Sequence, residues 1–154
     1  MKSFLLTIVA VLTCLVVGAQ NADKLYKDGK ALYEAKKYTA AFPKLKAAAE
    51  KGHKKAQYRL GRCYAKGHGV AENDAVAVRW YSKSAAQNYA KAQYRLGKCY
   101  LKGNGVAADE KKAKMYLVKS VTNPKNGDEV MEKIRKGASE GDADDKAILK
   151  LIKK

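Results

Sequence analysis

The chain has 154 residues, of which 47% are hydrophobic and 31% are charged, and only two are proline. This composition indicates one folded, mainly helical domain and excludes a chain that is disordered throughout. The 32 Lys and Arg residues outnumber the 15 Asp and Glu residues and give a net charge of +17. A charge this far from zero favours acidic partners.

The first 19 residues, MKSFLLTIVAVLTCLVVGA, combine an early lysine with an apolar run and small residues at the end. This pattern predicts a signal peptide over residues 1–19 and a mature domain over 20–154, exported to the bacterial periplasm or secreted. The alternatives are a retained anchor and a lipid on Cys14. However, the apolar run is short for a span of about 20 residues, and Thr13 replaces the smaller residue expected before a lipidated cysteine. Export makes nucleic acid a poor partner, and after signal removal no segment is predicted to cross a membrane.

Residues 22–55 have the pattern of a helix pair. Leu25, Gly29 and Leu32 share one face of a predicted first helix, which ends at the turn KKYTA. Pro43 falls in the first turn of the second helix, where proline is tolerated. The buried face of that second helix is predicted to hold Ala41, Leu45 and Ala48.

Two nearly identical stretches follow, AQYRLGRCYAKGHGV from Ala56 and AQYRLGKCYLKGNGV from Ala92. The units 56–91 and 92–127 align without a gap through their first two-thirds, so each is predicted to form helix, glycine turn and helix. Gly67 lies where the first helix would end in a left-handed conformation. The first helix of the earlier unit is predicted to bury Ala56, Leu60, Cys63 and Tyr64. In the earlier unit, the second helix is predicted to be capped by Asn73 or Asp74 and to bury Ala77, Trp80, Tyr81, Ser84 and Ala85. In the later unit, the second helix is predicted to be capped by Asp109 and to bury Ala113, Tyr116, Leu117 and Ser120.

The repeat pattern breaks down at Pro124, where NPKNGD predicts a turn. Two short amphipathic helices are predicted after it. One begins near Asp128 and carries Val130, Met131 and Ile134. The other begins at about Ala143 and carries Ala147, Ile148, Leu151 and Ile152. Units that depart from the repeat at the end of an array usually cover its exposed core, so residues 124–154 are predicted to be a helical cap.

Residues 56–85 and 92–120 resemble Sel-one-like repeats, which are relatives of the tetratricopeptide repeat. The first stretch matches that pattern at Ala56, Leu60, Gly61, Tyr64, Gly67, Gly69, Val70, Ala77, Trp80, Tyr81, Lys83 and Ala85. The second matches it at Ala92, Leu96, Gly97, Tyr100, Gly103, Gly105, Val106, Asp109, Lys112, Ala113 and Lys119. Residues 22–55 look like an ordinary tetratricopeptide repeat.

The resemblance implies an all-α, right-handed α-solenoid of antiparallel helix pairs, with repeats at about 22–55, 56–91 and 92–123 before the cap. It also implies a protein-binding adaptor or scaffold rather than an enzyme, with the first helix of each pair lining a concave groove. Some exported relatives with paired cysteines are described as penicillin-binding or β-lactam-hydrolysing. The positions of those cysteines are occupied here by Tyr58, Ser84, Tyr94 and Ser120. A cell-wall or β-lactam hydrolase is therefore the least favoured function, and no catalytic residue is assigned.

A basic stripe recurs on the first helices at a spacing of 4, 3 and 4 residues. Tyrosines flank it and could add stacking area and hydroxyl contacts. We expect these side chains to bind a protein or an acidic peptide in the groove, or else an anionic polymer of the cell envelope. The opposing interpretation is a solvated polar face that was copied with the repeat. The candidate groove residues are Lys30, Lys55, Tyr58, Arg59, Arg62, Lys66, Lys91, Tyr94, Arg95, Lys98 and Lys102.

Cys63 and Cys99 occupy the same position in successive first helices. Neighbouring helices are about 8–10 Å apart, too far for a disulfide, so both are predicted to be buried free thiols. His53 and His68 lie in predicted turns without a cysteine or acidic residue at ligand spacing, so no metal site is expected. No cofactor motif occurs, and the oligomeric state stays open.

Overall fold

The structure is a computed structural model that describes residues 20–153, and the predicted signal peptide lies outside the described residues. Residues 20–153 form eight α-helices and no strand. Their bounds are α1 20–34, α2 Tyr38–Glu50, α3 Lys54–Tyr64, α4 Asp74–Ala86, α5 Ala90–Lys102, α6 Glu110–Val121, α7 Gly127–Ser139 and α8 Ala143–Lys153. Consecutive helices from α2 to α8 pack on one another, and α5 also contacts α7 while α6 contacts α8. This arrangement is the predicted solenoid of helix pairs.

The apolar spacing of the first helices places their small and branched residues in the core. Ala56, Leu60 and Cys63 of α3 have no exposed surface, and neither do Ala92 and Leu96 of α5. Tyr64 and Trp80 were predicted to be buried but are only half-buried, because they lie at the margin of the core between the first two helix pairs. Tyr116 is half-buried as well, and its ring stacks on that of Tyr100.

Side-chain caps set where several helices begin. Asn73 Oδ1 accepts a hydrogen bond from the Val76 amide at 2.9 Å, and Asp109 Oδ1 accepts one from the Lys112 amide at 2.9 Å. These contacts confirm Asp109 as a cap and resolve the choice between Asn73 and Asp74. His53 caps α3, a role that we did not predict: its Nδ1 accepts from the Ala56 amide at 3.1 Å.

The His53 cap predicts a loss of stability in mild acid. Burial lowers the pKa of His53, although the nearby Asp23 partly opposes this, so the unfolded state binds a proton more readily than the folded state. The contribution of His53 to the free energy of unfolding is therefore fully present above a pH of about 6.5, the pKa of an unfolded histidine, and decreases as the pH falls below it. Protonation of Nδ1 also removes the capping acceptor, and such caps contribute about 0.5–2 kcal/mol.

We expect His53→Asn, which keeps an acceptor that does not titrate, to flatten this dependence between pH 7.5 and 5.5. The measurement is the urea midpoint at each pH. His68 also has a pKa that is lowered, first by burial. It should therefore account for the pH dependence of stability that remains in the variant, and in the same direction. An unchanged slope in the variant would show that the His53 cap does not titrate in this range.

The last two helices form a fourth helix pair that covers the core of the third. Val130 and Ile134 of α7 and Ile148 and Leu151 of α8 are buried in one cluster with Leu117. The structure thus confirms both predicted C-terminal helices. Their predicted apolar faces need correction at three positions, because Met131 and Ile152 are only half-buried and Ala147 is exposed. The buried residue one turn before Ile148 is instead a carboxylate, Asp145, which is 4% exposed.

The two cysteines within residues 20–153, Cys63 and Cys99, are free thiols, and burial raises the pKa of each to about 11. Cys63 is buried as predicted, whereas Cys99 is only half-buried. Within residues 20–153, no group of three or more His, Cys, Asp or Glu side chains is arranged to hold a metal ion. None of the helices described is long and apolar enough to cross a membrane.

Candidate functional site

The helices α3, α5 and α7 enclose a cavity of about 390 Å³ on the face that the first helices of the pairs present. Its walls are mainly cationic and aromatic. The lining residues are Tyr58, Arg62, Lys91, Tyr94, Arg95, Glu129, Val130 and Lys133. Five of these are predicted groove residues, so the fold brings a large part of the predicted site to one place.

A second cavity, of about 280 Å³, shares Arg95 with the first and follows the C-terminal ends of α3 and α5. Three further predicted groove residues line it, namely Lys66, Lys98 and Lys102. Two carboxylates, Asp74 and Asp144, face the same space. The remaining predicted residues, Lys30, Lys55 and Arg59, line neither cavity.

Several stripe residues already have a carboxylate partner in the chain. Arg59 donates to Glu34 at 2.9 Å, and Lys30 lies 3.8 Å from the same carboxylate. Lys91 pairs with Glu129 of α7. These contacts neutralise part of the stripe and show that its side chains accept carboxylates as partners.

Lys98 and Lys102 converge on one carboxylate of α8. Their Nζ atoms lie 3.1 Å and 2.9 Å from Asp144 Oδ2. The hydrogen bond from Lys102 is the largest of the causes that lower the pKa of Asp144.

Three cations around the first cavity have no such partner. Within residues 20–153, no carboxylate oxygen lies within 4 Å of Arg62, Arg95 or Lys133. The Nε atom of Arg95 is buried and makes no hydrogen bond to any described residue. Partial burial lowers the pKa of the Lys133 ammonium, and the neighbouring cations, chiefly Arg95, lower it further, although the charge of Asp145 partly opposes this. Arg62 and Arg95 are half-buried and Lys133 is exposed, and these neighbouring positive charges repel one another, so the cavity is electrostatically suited to an anion.

Tyrosines alternate with these cations along the groove. The guanidinium of Arg62 lies 5.4 Å from the ring centre of Tyr33, and the ammonium of Lys133 lies 4.9 Å from that of Tyr94. Distances below about 6 Å allow cation–π attraction, which holds the cations over the rings. Tyr94 is only 4% exposed, and its hydroxyl donates to Asp145 at 2.7 Å. Its hydroxyl is thus engaged within the chain, whereas half-buried Tyr58 borders the cavity.

Sequence reasoning missed the contribution of the C-terminal helices to this site. Lys133 follows Arg95 by 38 residues, two more than the repeat length, because the turn at Pro124 breaks the register. A search for basic residues on the predicted helix after Asp128 would have found Lys133. No sequence signal indicated that Asp144 and Asp145 of α8 would meet the stripe of α5.

The comparisons with known proteins agree with this architecture. The model of the Sel1 repeat family matches residues 54–89 and 90–123. A curated relative, the exopolysaccharide production negative regulator of Rhizobium meliloti (strain 1021), is 41% identical over 63 residues, which cover 41% of this chain and 24% of that protein.

Two solved structures are similar over most of the described residues. The Sel1 repeat protein from Oxalobacter formigenes has a TM-score of 0.61 and 31% identity, covering 77% of this chain and 55% of that one. A protective antigen of uropathogenic Escherichia coli strains, which displays an SLR fold, has a TM-score of 0.67 and 25% identity, covering 92% of this chain and 32% of that one. This chain therefore spans less than two thirds of the length of each of these relatives. Residues 54–123 belong to the Sel1 repeat family, whose helical solenoids generally act as scaffolds for protein–protein interaction.

Proposed function

We propose that this protein is an exported, non-enzymatic adaptor that binds an acidic segment of another protein between α3, α5 and α7. The observation that carries the proposal is the group of three cations, Arg62, Arg95 and Lys133, which surround a cavity without a carboxylate partner in residues 20–153. A bound carboxylate would supply the missing counter-charge. Arginine can hold a carboxylate through two parallel hydrogen bonds, which adds geometric selectivity to the charge attraction.

The size of the site favours a short segment over a single small anion. The two cavities, of about 390 Å³ and 280 Å³, adjoin at Arg95 and together follow the length of α5. Several acidic side chains of one extended or helical segment would fit along this line. The predicted signal peptide supports a partner that resides in the periplasm or outside the cell.

An anionic polysaccharide is the second candidate ligand. The Rhizobium relative is named as a regulator of exopolysaccharide production, and that protein shares 63 aligned residues with this chain. A polymer would be held chiefly by net charge, with little dependence on the individual side chains of the cavity. Its binding should therefore weaken steeply as salt rises and discriminate poorly among anions.

Reversing the charge of the cavity tests the proposal. We expect Arg62→Glu combined with Arg95→Glu to weaken the binding of acidic peptides by at least about tenfold, because each lost charge-assisted hydrogen bond contributes about 1.5–3 kcal/mol. The matched control is Arg79→Glu combined with Lys111→Glu, which changes the net charge equally on exposed positions of the second helices. Circular dichroism of both variants checks that helicity is retained.

The measurement is the retention of a set of acidic decapeptides, and separately of alginate, on immobilised protein at 50 and 150 mM salt. Loss of peptide retention in the cavity variant alone supports the adaptor. Polymer binding is indicated instead if the native chain retains alginate as strongly as the peptides and both variants lose retention equally. Peptide retention that neither variant changes rules out the groove as the binding surface.

A further inference from the structure

The chain contains a bound pair of carboxylates that shows how its stripe recognises acidic residues. Asp144 and Asp145 are adjacent residues in the first turn of α8. Asp145 accepts the Tyr94 hydroxyl at 2.7 Å, and Asp144 contacts Lys98 and Lys102 at 3.1 Å and 2.9 Å. One tyrosine and two cations, spaced four residues apart along α5, therefore hold two adjacent aspartates at the start of a helix.

The same three positions recur 36 residues earlier, two of them on α3 and the third in the turn that follows it. Tyr58, Arg62 and Lys66 correspond to Tyr94, Lys98 and Lys102 in the repeat alignment. We call Tyr58, Arg62 and Lys66 the α3 triad. Tyr58 and Arg62 line the larger cavity, and Lys66 lines the smaller one.

The surroundings of the two sets differ in their aromatic and acidic neighbours. Lys133 of the next first helix lies over the Tyr94 ring, whereas Tyr58 packs against the rings of Tyr81 and Tyr89 and lines the larger cavity together with Arg95. In the part of the chain that the structure describes, neither Arg62 nor Lys66 has a carboxylate within 4 Å. Asp74 borders the smaller cavity but pairs with neither of them. The α3 triad is thus the copy of the α5 set whose acidic ligand is absent from these residues.

We propose that the α3 triad binds two adjacent aspartates at the first turn of a partner helix, as the α5 set binds Asp144 and Asp145. This inference rests on the proposed adaptor function and specifies its ligand. The Tyr58 hydroxyl donates to one carboxylate, while Arg62 and Lys66 hold the other. Arg62 replaces the lysine of the α5 set and adds a bidentate contact. The N-terminal end of a helix attracts negative charge, so two aspartates are favourable residues for the first turn of the partner helix.

The chain itself supplies the probe for the test. A fluorescent peptide with the sequence of residues 141–150, GDADDKAILK, carries the acidic pair in its native context. We expect it to bind the full chain in trans, as measured by fluorescence anisotropy. A peptide with asparagine at both aspartate positions corresponding to 144 and 145 should bind at least about tenfold more weakly.

Two site variants locate the interaction. Arg62→Gln and Tyr58→Phe should each weaken binding of the aspartate peptide by about tenfold, whereas Lys111→Gln on the outer face should leave it unchanged. Amide chemical shifts of the labelled chain should change most between Tyr58 and Lys66. Circular dichroism confirms that the variants remain folded.

Three outcomes overturn the inference. They are equal binding of the asparagine peptide, unchanged affinity in both site variants, and shift changes centred on Tyr94 to Lys102, which would mean that the peptide displaces α8. Each of these leaves the adaptor proposal standing if Arg62→Glu with Arg95→Glu still weakens the binding of acidic peptides by at least about tenfold. Loss of the adaptor proposal itself would instead appear as unchanged retention in that double variant.

Discussion

Gly105→Ala is expected to lower the free energy of unfolding by about 2–5 kcal/mol, as the sum of a backbone and a packing effect. Gly105 has a φ of +68°, a conformation that side chains with a Cβ atom disfavour. A Cβ atom at this position would also meet the backbone carbonyl of Asp74, where α4 begins. A backbone group cannot rotate away as a side chain can, so the turn would have to separate from the preceding helix pair.

Gly52→Ala is the matched control for this prediction. Gly52 has a φ of +85°, but a Cβ atom there would have no neighbour within 4 Å. It should therefore cost only the backbone penalty, about 1–2 kcal/mol. Urea denaturation of both variants measures the difference. Equal destabilisation would mean that the turn containing Gly105 does not dock against α4 in solution.

This contact explains why the G-x-G turn is repeated. Gly69 occupies the equivalent position one unit earlier, with a φ of +76°, and a Cβ atom there would meet the carbonyl of Tyr38, where α2 begins. In both units, the second glycine marks the place where a turn packs against the preceding helix pair. The motif therefore serves the stacking of the solenoid.

Asp145→Ala is expected to destabilise the protein by about 2–4 kcal/mol. The change would leave the buried Tyr94 hydroxyl without its acceptor, which lies 2.7 Å away in the native chain. It would also remove a carboxylate from a neighbourhood that contains Lys98, whose side chain is only 17% exposed. Asp144→Ala is the control, because Asp144 is more exposed and its ion pairs should contribute less than about 1 kcal/mol each.

A double-mutant cycle with Tyr94→Phe isolates the hydrogen bond from the other effects. We expect the double variant to be about 1–3 kcal/mol more stable than the sum of the single effects predicts, because each single change strands one buried partner. Thermal and urea unfolding supply the four free energies. A coupling energy near zero would contradict a direct Tyr94–Asp145 bond.

The helical architecture could be predicted from particular residues. The 36-residue spacing of Leu60 and Leu96, with glycine turns after each first helix, predicts stacked helix pairs because similar units bury similar faces. The structure confirms helices at these places and at both predicted C-terminal positions. Local periodicity determines such elements, since each first helix carries its apolar face within about eleven residues.

The sequence did not predict which basic residues of the stripe would have a carboxylate partner. Arg59 and Arg62 have the same charge and lie three residues apart, yet among residues 20–153 only Arg59 meets a carboxylate, Glu34 of α1. That difference depends on which neighbouring helix faces each side chain. The same limit applies to Tyr94, whose hydroxyl we expected to be available and which donates to Asp145, 51 residues later.

The sequence by itself determined the helices, the repeat and the existence of a basic stripe, because these depend on the spacing of residue types within a short segment of the chain. Only the tertiary structure decided which cations remain without a partner. The turn at Pro124 shifts the register, so α7 and α8 bring Lys133, Asp144 and Asp145 to α5 at positions that no repeat alignment indicates. Carboxylates from distant segments pair with Lys91, Lys98 and Lys102 of α5, whereas Arg62 and Lys66 of the α3 triad have no carboxylate within 4 Å among residues 20–153.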